Sequence, residues 1–300
     1  MFKHVLVPLD GSAMAEAALP AAARLAELLG AEVTLLHAIE RNAPETVHGE
    51  PHLGSTEEAE GYLEDAVRRA FPAGARVACH VHRNEVEDVA RSIAEHAGGL
   101  MEPLIVMCTH GRGGLANLLL GNIAQRVVEF GTAPVLLVPP HKRARSRPFR
   151  CARLLVPLDG TEEHEGGIEA ARELGRACRG ALHLLLVVPT RQTLADGVGA
   201  AGRLLPGTAA AMLEMAREDA SAYLDRHAAN LRSDGLEVTM AVRRGDPART
   251  ILASARSGGV DIIVLAVHRR TGMQAFWAGS VGRRVASYAM RPVLLVPVRE

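Results

Sequence analysis

The sequence predicts an α/β fold: two tandem doubly wound domains, each a mainly parallel sheet covered by helices on both faces. Three observations lead there. His4-Val5-Leu6-Val7-Pro8-Leu9-Asp10-Gly11-Ser12 recurs as Arg153-Leu154-Leu155-Val156-Pro157-Leu158-Asp159-Gly160-Thr161, and Ala133-Pro134-Val135-Leu136-Leu137-Val138-Pro139 recurs as Arg291-Pro292-Val293-Leu294-Leu295-Val296-Pro297. Between them, Ile105-Val106-Met107 ahead of Gly121 matches Ile263-Val264-Leu265 ahead of Gly279. Matches that keep their order across a chain are the mark of a duplication. Within each copy, short apolar runs alternate with helical patterns, which implies parallel strands joined by helical crossovers. The copies span residues 1–140 and 151–300, with 141–150 as a linker. Their offset grows from 149 residues at the start to 158 at the end, so the second copy carries about nine extra residues in its middle.

The elements follow in order. Val5–Leu9 is a continuously apolar run, as expected of a strand buried on both faces. Asp10-Gly11 signals a turn, and Ser12 can cap the helix that follows. In that helix Ala18, Leu19, Ala22, Leu25, Ala26 and Leu29 recur at helical spacing, and Gly30 ends it. Val33–Ile39 reads as a second strand. Thr56 to Phe71 reads as a helix with Glu57 and Glu58 in its first turn, favourable to the helix dipole. Ala75–Val81 is a third strand, Val86 to His96 a helix, Leu104–Met107 a fourth strand, Asn122 to Phe130 a helix and Val135–Val138 a fifth strand. The second copy repeats the pattern, with a longer helical region around Ala209–Leu231.

Composition narrows the function classes. Hydrophobic residues make up 48% of the chain and aromatics 3%, so the core must be built of Leu, Val, Ala and Ile. Lys and Arg number 34, balanced by 34 Asp and Glu, and a net charge of zero argues against nucleic-acid or anionic-membrane partners. No apolar run is long enough to span a bilayer, and no secretory leader is evident, so the expected location is the cytoplasm. Cys79, Cys108, Cys151 and Cys178 show no paired spacing and are expected as reduced thiols. The Lys- and Arg-rich, Pro-containing stretch from Pro139 to Arg150 reads as a solvated linker rather than a basic arm.

In open parallel sheets, ligands bind outside the carboxyl ends of the strands, where strand order reverses. Two segments sit at such ends: Pro8-Leu9-Asp10-Gly11, and Met107-Cys108-Thr109-His110-Gly111-Arg112-Gly113-Gly114 running on to Gly121-Asn122. The glycines let backbone N–H groups turn toward an anion, and Gly121-Asn122 opens a helix whose N-terminus favours phosphate. A glycine-rich crossover needing unusual backbone angles would read the same way.

These motifs, in this order and twice over, resemble the universal stress protein domain, and nearly the whole chain resembles a tandem member of that family. The resemblance implies a five-stranded parallel sheet of order 3-2-1-4-5 in each copy. It also implies pseudo-twofold pairing of two domains through their fifth strands, here within one chain, and a possible homodimer of whole chains. In the nucleotide-binding branch the family motif is Gly-x2-Gly-x9-Gly followed by Ser or Thr. The first copy reads Cys108-x2-Gly111-x9-Gly121-Asn122. By resemblance the ligand is ATP, carried with Mg²⁺, or another adenine nucleotide. Asp10 and Ala38 would stand at adenine or ribose. Met107, His110 and Gly111 would line the nucleotide, and Gly121, Asn122, Ile123 and Ala124 would hold phosphates, with Pro8 and Cys108 as further candidates for nucleotide contact. Cys108 departs from the motif, because its Cβ crowds a backbone approach that glycine permits.

The second copy reads Ala266-x2-Arg269-x9-Gly279-Ser280 and keeps Asp159. Asp159, Gly279 and Ser280 are its remaining candidates, and Ala266 and Arg269 favour a degenerate site over a rebuilt one. Trp277 is accordingly expected to respond little to ATP. His48 and His52 are expected to be solvated rather than to bind metal, His37 to be a satisfied core residue, and Cys108 to be structural. No metal ligand set and no catalytic residue stand out, since no nucleophile is seen paired with a base. Three functions follow from this reading: a nucleotide-sensing stress protein, a scaffold that binds no nucleotide, or a very slow ATPase.

Overall fold

The computed structural model describes residues 2–41, 43, 45–47, 49–109, 121–140, 148–188, 190, 206–268 and 280–298. The first copy contributes β1 (His4–Pro8), α1 (Leu19–Leu29), β2 (Glu32–Glu40), a small hairpin of β3 (Thr46–Val47) and β4 (Glu50–Pro51), and α2 (Thr56–Ala70). It continues with β5 (Val77–Val86), α3 (Val89–Gly98), β6 (Pro103–Cys108), α4 (Asn122–Phe130) and β7 (Val135–Val138). The second copy adds β8 (Arg153–Leu158), α5 (Gly166–Cys178), β9 (Ala181–Val188), α6 (Pro206–Ser233) and β10 (Val238–Arg244). It closes with α7 (Pro247–Ser257), β11 (Ile262–Val267), α8 (Val281–Tyr288) and β12 (Val293–Pro297). A short 3₁₀ turn precedes α1 (Ala15–Ala18) and another precedes α5 (Glu162–Glu165).

The strands form a single ten-stranded sheet in the order β10-β9-β8-β11-β12-β7-β6-β1-β2-β5. Pairing within each copy is parallel. The fifth strands, β7 and β12, meet antiparallel, with Val135, Leu136 and Leu137 opposite Leu295, Leu294 and Val293. This pairing removes two sheet edges that would otherwise expose unpaired backbone groups. The two copies thus lie head to tail about the central pair of strands.

Apolar strand residues face both layers, so the core lies on both sides of the sheet. One layer joins Val5, Leu25, Leu63 and Leu104 of the first copy with Leu154, Leu174, Leu224 and Leu294 of the second. The other joins Leu6, Ile93, Ile105 and Val127 with Leu155, Ile251, Ile263 and Val285. Each cluster crosses the seam between the copies. The Phe2 N–H also crosses it, donating to Glu173 Oε1 at 2.8 Å. The extra length of the second copy falls between its second and third strands, where α6 has 28 residues against 15 in α2.

One expectation is overturned. Cys151 and Cys178 are joined as a disulfide, with Cα atoms 5.8 Å apart. The sequence offers no paired spacing to reveal this. The strand–helix connection folds back, so Cys151, two residues before β8, meets the last residue of α5. Cys79 and Cys108 are free. No helix among the described residues is long and apolar enough to cross a membrane.

Candidate functional site

Both copies build the same turn at the carboxyl end of their first strand. In the first, Asp10 Oδ1 accepts from the Ser12 backbone N–H at 3.0 Å and from its hydroxyl at 2.6 Å, and Ser12 Oγ in turn accepts from the Ala15 N–H at 3.1 Å. Ser12 thus satisfies the first N–H of the 3₁₀ turn that leads into α1, whose N-cap position is Met14. In the second, Asp159 Oδ1 accepts from the Thr161 N–H at 3.0 Å and from its hydroxyl at 2.8 Å. An Asp with a hydroxyl residue two positions on forms such a side-chain-closed turn readily.

In the first copy the turn lies beneath the β3–β4 hairpin. The Glu50 carboxylate accepts from the Ala13 N–H at 3.2–3.3 Å. Gly11 has φ +88°, and Leu53 sits so close that a Cβ there would meet its Cγ at 3.0 Å. His37 is buried beside this turn, its Nδ1 bonded to the Leu9 carbonyl at 2.8 Å, and burial pushes its pKa below the usual histidine range. It lies in the core as the sequence leads one to expect, but it is only half satisfied, because its Nε2 is buried without a hydrogen-bond partner.

Cys108 ends β6 and is buried. Its φ is not positive, so the substitution of glycine brings no backbone strain. Burial, reinforced by the negative charge of Asp10, pushes its thiol up to about 12. The group stays protonated at neutral pH and is a poor nucleophile. Met107 belongs to the apolar layer against α3 and α4, and Ala38 lies on β2. Gly121, not Asn122, occupies the N-cap of α4, with no side-chain cap, and exposed Asn122 is the first helical residue, followed by half-buried Ile123 and buried Ala124. His110, Gly111, Arg269, Trp277, Gly279 and His48, together with most of the linker, lie outside the described residues.

The second copy has a cavity of about 290 Å³ at the corresponding strand ends. Pro157, Leu158, Val187, Ile251, Leu265 and Val267 supply apolar walls, and Asp159, His164, His268 and Ser280 supply polar groups. Ala266, expected as an obstruction, lines this space rather than filling it. Ser280 caps α8 by accepting from the Arg283 N–H at 3.2 Å. Gly282 lies so close to β11 that a Cβ would stand 2.8 Å from Val267 Cγ1. Small residues at this helix start thus bring its N-terminus onto the cavity, where the free N–H groups of a first turn favour an anion.

At the mouth of the cavity, Asp159 Oδ2 lies 2.7 Å from His164 Nδ1. Burial pushes Asp159 up, but the hydrogen bonds from His164 and Thr161 outweigh it and hold the carboxyl at about 2. Asp159 raises His164 in return, against the opposing effect of burial. The His164 ring packs edge-on against His268, centroids 4.6 Å apart. Thr161 Oγ1 also lies 2.9 Å from His164 Nδ1. Because hydroxyl and carboxylate meet the same ring nitrogen, the three do not form a relay from nucleophile through base to acid. His164 and His268 stand outside the repeated motifs, so no sequence pattern marks them.

A helix-to-helix clamp also repeats. Asp88 caps α3 through the Arg91 N–H and pairs with Arg126 of α4. Asp246 caps α7 through the Arg249 N–H at 2.9 Å and takes Arg284 of α8 at 2.8 and 3.0 Å. Each clamp ties the helix that opens at Gly121 or Ser280 to its neighbour.

The sequence profile described as the universal stress protein family matches residues 1–139 and again 151–297. A universal stress protein of Mycolicibacterium smegmatis is 26% identical over 312 residues, spanning 98% of this chain and 97% of its own. Universal stress protein YxiE of Bacillus subtilis is 32% identical over 151 residues, 46% of this chain and 99% of that protein. The crystal structure of a universal stress protein from Archaeoglobus fulgidus superposes with a TM-score of 0.76 at 18% identity, covering 99% of this chain and 98% of that one.

Proposed function

The chain belongs to the universal stress protein family, and from that premise we propose that it is a stress-response regulator that binds an adenine nucleotide at the carboxyl ends of its parallel strands. The observation that carries this reading is the cavity of about 290 Å³ between Asp159 and the N-terminus of α8. That volume is near the lower end of the roughly 300–1,000 Å³ usual for ligand pockets. The apolar walls suit a base and sugar, and the N–H groups at the start of α8 suit the phosphates beyond them. Mg²⁺ would travel with the phosphates. The first copy keeps more of the family's glycines, including Gly111 and Gly121, and the second keeps a cavity among its described residues. We therefore retain both copies as candidate sites and assign neither a catalytic turnover.

Thermal unfolding with and without ATP tests this. A ligand at a hundredfold excess over its Kd stabilises the folded form by about 2.7 kcal/mol. An Ala266→Phe variant fills the second cavity. Loss of the ATP shift in that variant assigns binding to the second copy, and persistence assigns it to the first. No shift at millimolar ATP in the unaltered chain overturns nucleotide binding and favours the scaffold reading.

A further inference from the structure

We propose that His80, His82 and His96 form a binding site for a borderline divalent transition ion, of which Zn²⁺ is the natural probe. One ring nitrogen from each of the three lies within 4.8 Å of the other two. His80 and His82 stand two apart on β5 and so share the face of the sheet that carries α3. His96 comes down from the last turn of α3 to meet them. The three rings are in mutual contact, with centroids 4.7–5.4 Å apart.

The ligand chemistry selects the ion. Imidazole suits zinc, copper and nickel, whereas calcium and magnesium take oxygen ligands. Three histidines with an open fourth position are a known zinc arrangement. Nitrogens bound tetrahedrally at about 2.0–2.1 Å from one ion stand roughly 3.4 Å apart. The present spacing therefore closes by about an ångström or so, within the reach of small ring rotations.

Two further observations point to a ligand. His82 Nε2 is buried and has no hydrogen-bond partner, a cost that a metal bond would remove. β5 is an outer strand of the sheet, and His80 on it is exposed, so an ion can reach the cluster from solvent. A bound ion would fasten the edge strand of the first copy to α3.

The test is calorimetric titration of the chelator-stripped full chain with Zn²⁺. Wild type is expected to bind one equivalent. Affinity is expected to fall at least about tenfold in both His80→Gln and His96→Gln, as for loss of a ligand or its support. His183→Gln, on β9 of the second copy and outside both sites, is expected to bind as wild type. Co²⁺ should give the intense visible bands of tetrahedral coordination, lost in His80→Gln. If His96→Gln does not fold, the exposed His80→Gln decides. No binding by wild type, or undiminished binding by the His80 variant, overturns the proposal.

Discussion

Asp159 Oδ2 lies 2.7 Å from His164 Nδ1, an ion pair at the mouth of the second copy's cavity. The pair makes stability pH-dependent with a definite sign. His164 is raised, so its contribution is complete below about pH 6.5 and is lost as pH rises through its folded value. Asp159 is depressed to about 2, so its contribution is present above about pH 3.9 and is lost as pH falls toward its folded value. The expected outcome is that His164→Gln lowers the thermal midpoint most between these limits and least at alkaline pH, once His164 has lost its proton. A difference between variant and wild type that is flat with pH would show that the pair does not couple to folding.

The clamp between α7 and α8 separates into two parts. Asp246 both caps α7 and holds Arg284. Asp246→Ala removes both roles and is expected to cost about 1–2 kcal/mol, mostly as the lost cap. Asp246→Asn keeps a capping oxygen and gives up the charge, so it should cost less, and its cost should shrink in high salt. Denaturant unfolding of the two variants at low and high salt checks both. Equal costs would assign the effect to the ion pair instead.

The disulfide closes a segment with a sequence separation of 27. Chain entropy alone gives such a closure about 3–4 kcal/mol. A reductant is therefore expected to lower the thermal midpoint of wild type and to leave Cys178→Ser unchanged. An identical midpoint with and without reductant would mean that the bridge adds nothing to folding.

Because both core layers cross the seam between β7 and β12, the two copies should unfold together. Calorimetry is expected to show one transition for the unaltered chain. Leu136→Ala, at a fully buried position opposite Leu294, should cost about 2–5 kcal/mol and lower that single transition as a whole. Two resolved transitions in wild type would show that the copies are independent folding units.

Much of the fold was legible along the chain. The duplication and the alternation of strand and helix were written in local patterns, and α4 begins and ends where periodicity placed it, at Asn122 and Phe130. β5 spans Val77–Val86 rather than the expected Ala75–Val81, running on through polar residues that an edge strand tolerates, so that α3 starts at Val89 and not at Val86. Around the second copy's cavity, Asp159 and Ser280 belong to repeated motifs. His164, His268 and Ile251 do not, so no local pattern marks them. The histidine cluster escaped for a similar reason: His80 and His82 alternate on a strand, but His96 is on another element, so no spacing announces the three.

The sequence by itself determined that this protein is two copies of one α/β unit, because strand burial and helical amphipathicity are periodic and act between residues close in the chain. Only the tertiary structure decided which distant residues became neighbours. It joined Cys151 to Cys178, Asp246 to Arg284, His96 to His80 and His82, and β7 to β12. Those pairings depend on how each crossover returns to the sheet and on the register in which strands meet. Both are set by packing of the whole core, which local periodicity does not encode.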